Sequence, residues 1–249
     1  MGLTNSGSLV VRFASPNPDS IQQMAQRLEE MGLKRGDHFT VKMPDGGKAG
    51  YVSVLKDGLA YAAYLSIRGE GEQQRELARV FVELILQRAR DACGGAEPCA
   101  VYEKAEKIIE EGRAWGSIKL KDFGKEVEVN GKTYVVKVIG GEAVEEGEGV
   151  RKLLRIKITA EVDGVEREYT ITYIRRGDNN AVVAYAYVEV DDAERLAALI
   201  KALTDKEPKV YRMKNGKIKI ECYREHLGGF MRYVELAKTI MKWLKETSR

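Results

Sequence analysis

The chain predicts an α+β fold: two similar strand-helix-hairpin-helix units with an antiparallel β meander between them. Three observations predict it. A short apolar run, an amphipathic helical period, a pair of alternating runs and a longer helical period occur near the start of the 249 residues. The same order recurs near the end. Between the two stretches apolar and polar residues alternate, interrupted by Asn130-Gly131 and Asp163-Gly164, dipeptides suited to two-residue hairpin turns. The expected divisions are an N-terminal βαββα unit over 8–92, a helical connector over 93–113, and the meander with a C-terminal βαββα unit over 114–249.

Leu9 to Phe13 opens the first unit as a strand, and SPNPDS follows, in which Asp19 or Ser20 is placed to cap a helix. Ile21, Met24, Ala25, Leu28 and Met31 fall on one face of that helix, and Gly32 stops it. Phe39, Val41 and Met43 alternate with polar residues. After the turn PDGGK a second alternation from Tyr51 to Leu55 completes a hairpin. Glu72 to Ala92 is strongly helical, and Val101 to Gly112 reads as the connector. In the middle, Ile118–Leu120, Val127–Val129, Thr133–Ile139, Leu153–Val162 and Val165–Ile174 read as strands. The Gly- and Glu-rich GGEAVEEGEGVRK between two of them reads as a surface loop, and GDNN ends the meander. Val182 to Val190 starts the second unit, Asp191 or Asp192 caps a helix with Leu196, Leu199, Ile200 and Leu203 on one stripe, and Pro208–Met213 pairs with Ile218–Cys222 through Asn215-Gly216. His226 to Glu246 is the closing helix.

Charged residues make up 32% of the chain, a bias towards Lys, Arg and Glu expected of a hyperthermophile protein. The net charge of +3 is too small to define a polyanion partner, so the local distribution decides. No apolar run long enough to span a bilayer and no secretory leader is read, and the expectation is a soluble, cytoplasmic protein. Cys93 and Cys99 flank a Gly-Gly loop. They read as two half-buried free thiols, with a disulfide as the alternative that a hyperthermophile tolerates. With only His38 and His226 as imidazoles, no metal site is expected, and both histidines read as capping or hydrogen-bonded groups. Tyr61, Tyr64, Phe81, Phe230, Tyr233 and Trp243 lie on helical stripes and read as core.

The words SPNPDS, HFTVKMPDGGKAGYV, VKVIGGEA, LLRIKITAEVDGV, EPKVYRMKNGKIKIECYREHL and KWLKETSR resemble a paralogous repeat family (second type, subtype b) of Pyrobaculum-like hyperthermophilic archaea. The resemblance covers most of the chain. It implies a lineage whose copies multiply in the genome and carries no established activity. A weaker similarity, through AYAAYLSIRGEG at 60–71, is to the LAGLIDADG homing endonucleases. That similarity implies two pseudo-symmetric units, with Glu70 as the catalytic candidate and a magnesium ligand. Magnesium is the only cofactor expected, and only for an endonuclease.

The strongest electrostatic signal is PKVYRMKNGKIKI, in which Lys209, Arg212, Lys214, Lys217 and Lys219 occur with no acidic residue. A two-stranded ribbon fits the major groove of DNA, where these cations would contact phosphates and Tyr211 would stack. Arg151, Lys152, Arg155 and Lys157, with Arg175 and Arg176, would extend the surface. The plainer account is solvated sheet faces paired with the abundant glutamates. The leading expectation is a nucleic-acid-binding protein of mobile-element origin, a degenerate homing-endonuclease-like fold without cleavage activity, with duplex DNA as partner. The alternative is a protein-interaction module. The third reading is an active magnesium-dependent endonuclease.

Overall fold

The computed structural model describes residues 1–96, 98–147, 152–176 and 181–246. It is mixed α and β with antiparallel sheets, and divides into two compact units, one ending at Ala114 and the other beginning at Trp115. Residues 148–151 of GGEAVEEGEGVRK, Arg151 among them, and the GDNN turn lie outside the described residues.

The first unit contains β1 (Gly2–Leu3), β2 (Leu9–Ser15), α1 (Pro18–Glu30), β3 (Phe39–Lys42), β4 (Gly50–Val54), α2 (Lys56–Arg68), α3 (Glu72–Ala92) and α4 (Ala100–Ala114). Its four-stranded sheet has the order β1-β2-β4-β3. The cap of α1 falls earlier than expected. Asn17 Oδ1 accepts the Asp19 N–H at 2.8 Å, because Pro18, which has no N–H to satisfy, fits the first helical position. Ile21, Ala25 and Leu28 are buried. Helix α2 is buried on nearly every side, and two glycines make that possible. A Cβ on Gly58 would stand 2.1 Å from the His38 carbonyl oxygen, and one on Gly112 would stand 1.9 Å from that of Ala60. The second contact corrects the expectation of a connector: α4 is a core helix of the first unit, with Ala105, Ile108 and Ile109 buried and its backbone pressed on α2. Cys93 and Cys99, at the α3–α4 junction, form a disulfide with Cα atoms 5.7 Å apart rather than two free thiols.

The second unit contains β5 (Gly124–Val129), β6 (Lys132–Glu146), β7 (Leu153–Val162), β8 (Val165–Arg176), β9 (Ala181–Val188), α5 (Val190–Thr204), β10 (Lys209–Arg212), β11 (Ile218–Tyr223), α6 (Arg224–Phe230) and α7 (Val234–Glu246). All seven strands form one antiparallel sheet in the order β10-β11-β9-β8-β7-β6-β5. The meander and the C-terminal strands are therefore one layer. The expected loop after Ile139 is instead strand as far as Glu146: a bulge between Val138 and Gly140 shifts the register, and pairing with β7 continues. Ile118–Leu120 makes only an isolated bridge from Ile118 to Tyr233 and the start of a 3-10 turn. That bridge breaks the expected closing helix. Tyr233 pairs in extended fashion with Ile118, and the Val234 N–H donates to the Ile118 carbonyl at 2.9 Å, so α6 and α7 are separate.

One face of this sheet holds the core. Leu154, Ile156, Ile158 and Ala160 of β7 and Tyr169, Ile171 and Tyr173 of β8 are buried, as are Leu196, Leu199 and Leu203 of α5 and Leu236, Ile240 and Trp243 of α7, and both helices pack on β6 and β7. Each such fully buried side chain contributes about 1.5–3 kcal/mol. The helices are tied to that face by polar contacts: Trp243 Nε1 donates to the Lys152 carbonyl at 3.0 Å, and the Tyr134 hydroxyl donates to Glu194. Strand β9 is joined to β10 by α5, yet its partner is β11, which stands between them. In the first unit α1 joins β2 to β3, and β4 stands between them. Among the described residues no helix is long and apolar enough to cross a membrane.

Candidate nucleic-acid interface

The other face of the second sheet carries the exposed Tyr187 and Tyr211, and period-two alternation assigns its residues. Ile218, Ile220 and Cys222 of β11 point into the core, so Lys219, Glu221 and Tyr223 stand on the open face. Register extends the pattern across strands. Lys209, Glu221, Tyr185, Thr172 and Arg155 are successive Cα partners in one row from β10 to β7. Tyr211, Lys219 and Tyr187 form a neighbouring row across β10, β11 and β9. Tyr185, Tyr187, Tyr211 and Tyr223 thus share one face with Lys209 and Lys219.

These cations are held by rings. The Lys219 ammonium lies 4.7 Å from the Tyr211 ring centroid and 5.1 Å from that of Tyr185, and 3.0 Å from the Glu221 carboxylate. Lys209 lies 5.1 Å from the Tyr223 ring centroid. Contact with Tyr223 raises the Lys209 pKa, and the hydrogen bond to Glu221 raises that of Lys219. For Glu221, burial pushes the pKa up, but bonds from Lys219 and Tyr223 outweigh it and hold the carboxyl below its usual value. All three groups therefore stay charged through neutral pH.

The remaining expected residues fall into three sets. Arg212 pairs with Ile218, which gives it the opposite parity from Tyr211; it stands at the exposed sheet edge and makes no ion pair with a described carboxylate. Lys214 and Lys217 lie at the hairpin tip, where Lys217 is 3.7 Å from Glu189. On the meander, Arg155 is 3.1 Å from Glu146, and Lys157 is 3.5 Å from Glu142, so the outward cations of β7 are neutralised across the strand pair. Lys152 pairs with Glu145 on the core side. Arg176 is exposed and donates to the Tyr185 hydroxyl at 3.2 Å. Arg175 is not part of the surface: it faces the helix layer, donating to the Leu244 carbonyl at 3.0 Å with its guanidinium 5.4 Å from the Trp243 ring centroid. The structure also corrects the ribbon geometry, because β11 is enclosed by β9 and its inner side chains are core. The exposed parts of the hairpin are β10 and the tip at 213–217.

Glu70 is exposed in the bend between α2 and α3, its N–H bonded to Gln74 Oε1 at 2.9 Å. Helix α3 follows it directly. No group of three or more His, Cys, Asp or Glu side chains able to hold a metal occurs among the described residues. A single carboxylate supplies too few donors to position a divalent cation for phosphodiester cleavage, so the residues present do not fit a magnesium centre. Both histidines are structural. His38 Nδ1 accepts the Lys34 N–H, and His226 Nδ1 accepts the Tyr223 N–H at the start of α6.

Sequence reading missed Tyr185, Tyr187 and Tyr223. The signal was present in β9 as AVVAYAYV, where alternate alanines mark the core side and the tyrosines the other. Comparison with family models, curated proteins and solved structures returns no match for the chain.

Proposed function

We propose that this is a cytoplasmic nucleic-acid-binding protein of mobile-element descent, with its binding surface on the β10–β11 hairpin and the adjoining open face of β9. The observation that carries the reading is the concentration of charge. From Pro208 to Tyr223 the chain has Lys209, Arg212, Lys214, Lys217 and Lys219; Glu221 pairs with Lys219 and Glu189 with Lys217, which leaves an excess of three positive charges, while the cations of β7 are cancelled by Glu142 and Glu146. A polyanion gains from such an edge by releasing its condensed counterions. The shared arrangement of strand, crossover helix and inserted third strand in both units supports two copies of one supersecondary unit. The poor fit of Glu70 to a metal centre supports binding without cleavage.

The test is fluorescence anisotropy of labelled polynucleotides titrated with the protein at several salt concentrations. Binding with a log-log salt slope of several units is expected, falling by roughly 0.7–0.9 for each phosphate-contacting cation removed from the hairpin. An unchanged slope after joint replacement of Lys209, Arg212, Lys214, Lys217 and Lys219 by Gln would sink the proposal. A protein-interaction module is the second reading, favoured by Leu77, Val80 and Leu84, which lie at 40–54% exposure along one stripe of α3. It predicts a concentration-dependent oligomer in sedimentation and no polyanion binding.

A further inference from the structure

Resting on the nucleic-acid reading above, we infer that the ligand is a single-stranded polynucleotide, with unpaired bases stacked on Tyr211 and Tyr187 and the linking backbone passing Lys219. The geometry is the row Tyr211–Lys219–Tyr187, three Cα partners on neighbouring strands of an open sheet face. Two interstrand steps of about 4.8 Å separate the tyrosine positions by about 10 Å, with a cation midway. Tyr187 is 61% and Tyr211 41% exposed. Exposed aromatic rings on a flat sheet, alternating with cations, form a stacking platform of the kind that accepts any base through its π-face.

A duplex does not fit this face. Its bases present edges in the grooves and hide their planes in the stack, so the rings have nothing to stack on. Width decides the same way: seven strands at about 4.8 Å per step span about 30 Å, against a major groove about 12 Å wide. The tip cations Lys214 and Lys217 would still touch the outer phosphates of a duplex, giving weak, salt-sensitive attachment. Arg176, on the Tyr185 hydroxyl, and Lys209, over Tyr223, supply positive charge beside the platform. Glu221 within it, paired with Lys219, and Glu189 beside it, paired with Lys217, set the limit on affinity.

The experiment uses the full chain and four labelled probes of one mixed sequence: single-stranded RNA, single-stranded DNA, the DNA duplex and the RNA duplex, at about 50 mM salt. Single strands are expected to bind more tightly than either duplex. In the double variant Tyr187→Leu, Tyr211→Leu, single-strand affinity is expected to fall about tenfold or more per stacked base, with duplex attachment unchanged. Tyr187→Phe with Tyr211→Phe retains the rings and should retain the affinity. Both positions are exposed, and thermal melting of each variant confirms folding. A preference between the two single strands identifies whether a 2′-hydroxyl is read and leaves the inference standing. Duplexes bound as tightly as single strands, with the Leu variant unaffected, would overturn the single-strand inference while keeping the nucleic-acid reading. No binding of any probe overturns both.

Discussion

The Lys219 ammonium and the Glu221 carboxylate, two residues apart on β11, meet at 3.0 Å on the same open face, and that pair sits in the middle of the tyrosine platform. It neutralises the cation best placed between the rings. Replacing Glu221 with Gln should therefore raise polyanion affinity several-fold and steepen the salt slope by about 0.7–0.9, the value for one additional phosphate neutralised. Anisotropy titrations of wild type and variant across a salt series measure both. An affinity that stays the same would mean that Lys219 never faces a phosphate.

Arg175 and Arg176, adjacent in sequence, serve opposite faces. Arg175→Ala removes a charge-assisted bond to the Leu244 carbonyl and the contact with Trp243, and should cost about 1.5–3 kcal/mol of stability. Denaturant unfolding reads this loss, and polyanion affinity should not move. Arg176→Ala should do the reverse, since its side chain is exposed beside Tyr185.

Helices α2 and α4 touch backbone to backbone at Gly112. A methyl there would collide with the Ala60 carbonyl at 1.9 Å, a contact that no side-chain rearrangement relieves. Gly112→Ala should therefore destabilise the first unit by about 3 kcal/mol or more, the upper end of the overpacking range. Calorimetry should show an early transition belonging to that unit while the second unit melts as before.

His226 titrates with a defined sign. Burial lowers its pKa below the ordinary 6.5, against the smaller upward pull of its bond to the Glu207 backbone. The neutral ring is the one that works, because Nδ1 must accept the Tyr223 N–H that opens α6. The unfolded chain takes up this proton at higher pH than the folded one. Stability is thus fully present above 6.5 and is lost as pH falls from 6.5 towards and through the lowered folded value. Melting temperatures measured from pH 8 to pH 4 should show a step in that window, and the step should be absent in His226→Gln.

Local features were legible in the chain and nonlocal ones were not. Asn130-Gly131 and Asp163-Gly164 announce their turns, and all four residues take positive φ there, between 51° and 78°. The span of α3 follows directly from its helical period. The pairing of β11 with β9 joins residues some 35 positions apart, and no local pattern in the intervening helix and edge strand states which neighbour wins. The same limit hid the role of α4: its apolar stripe was visible, but its partner Ala60 lies some 50 residues away. For the interface, composition picked out the hairpin cations. Parity, available in principle from alternation alone, was needed to divide Tyr211 from Arg212 and Arg176 from Arg175.

Strand β4 has a consequence for how the protein is made. Its neighbours β2 and β3 share no ladder with each other; both bond to β4, which follows them in the chain. During vectorial synthesis, a nascent chain that has emerged only as far as residue 49 holds two flanking strands and a crossover helix with no central strand to join them. Folding of this sheet must then wait for the next five residues to clear the ribosome, and the pause exposes Val11 and Phe39 to whatever chaperone or neighbouring chain is present.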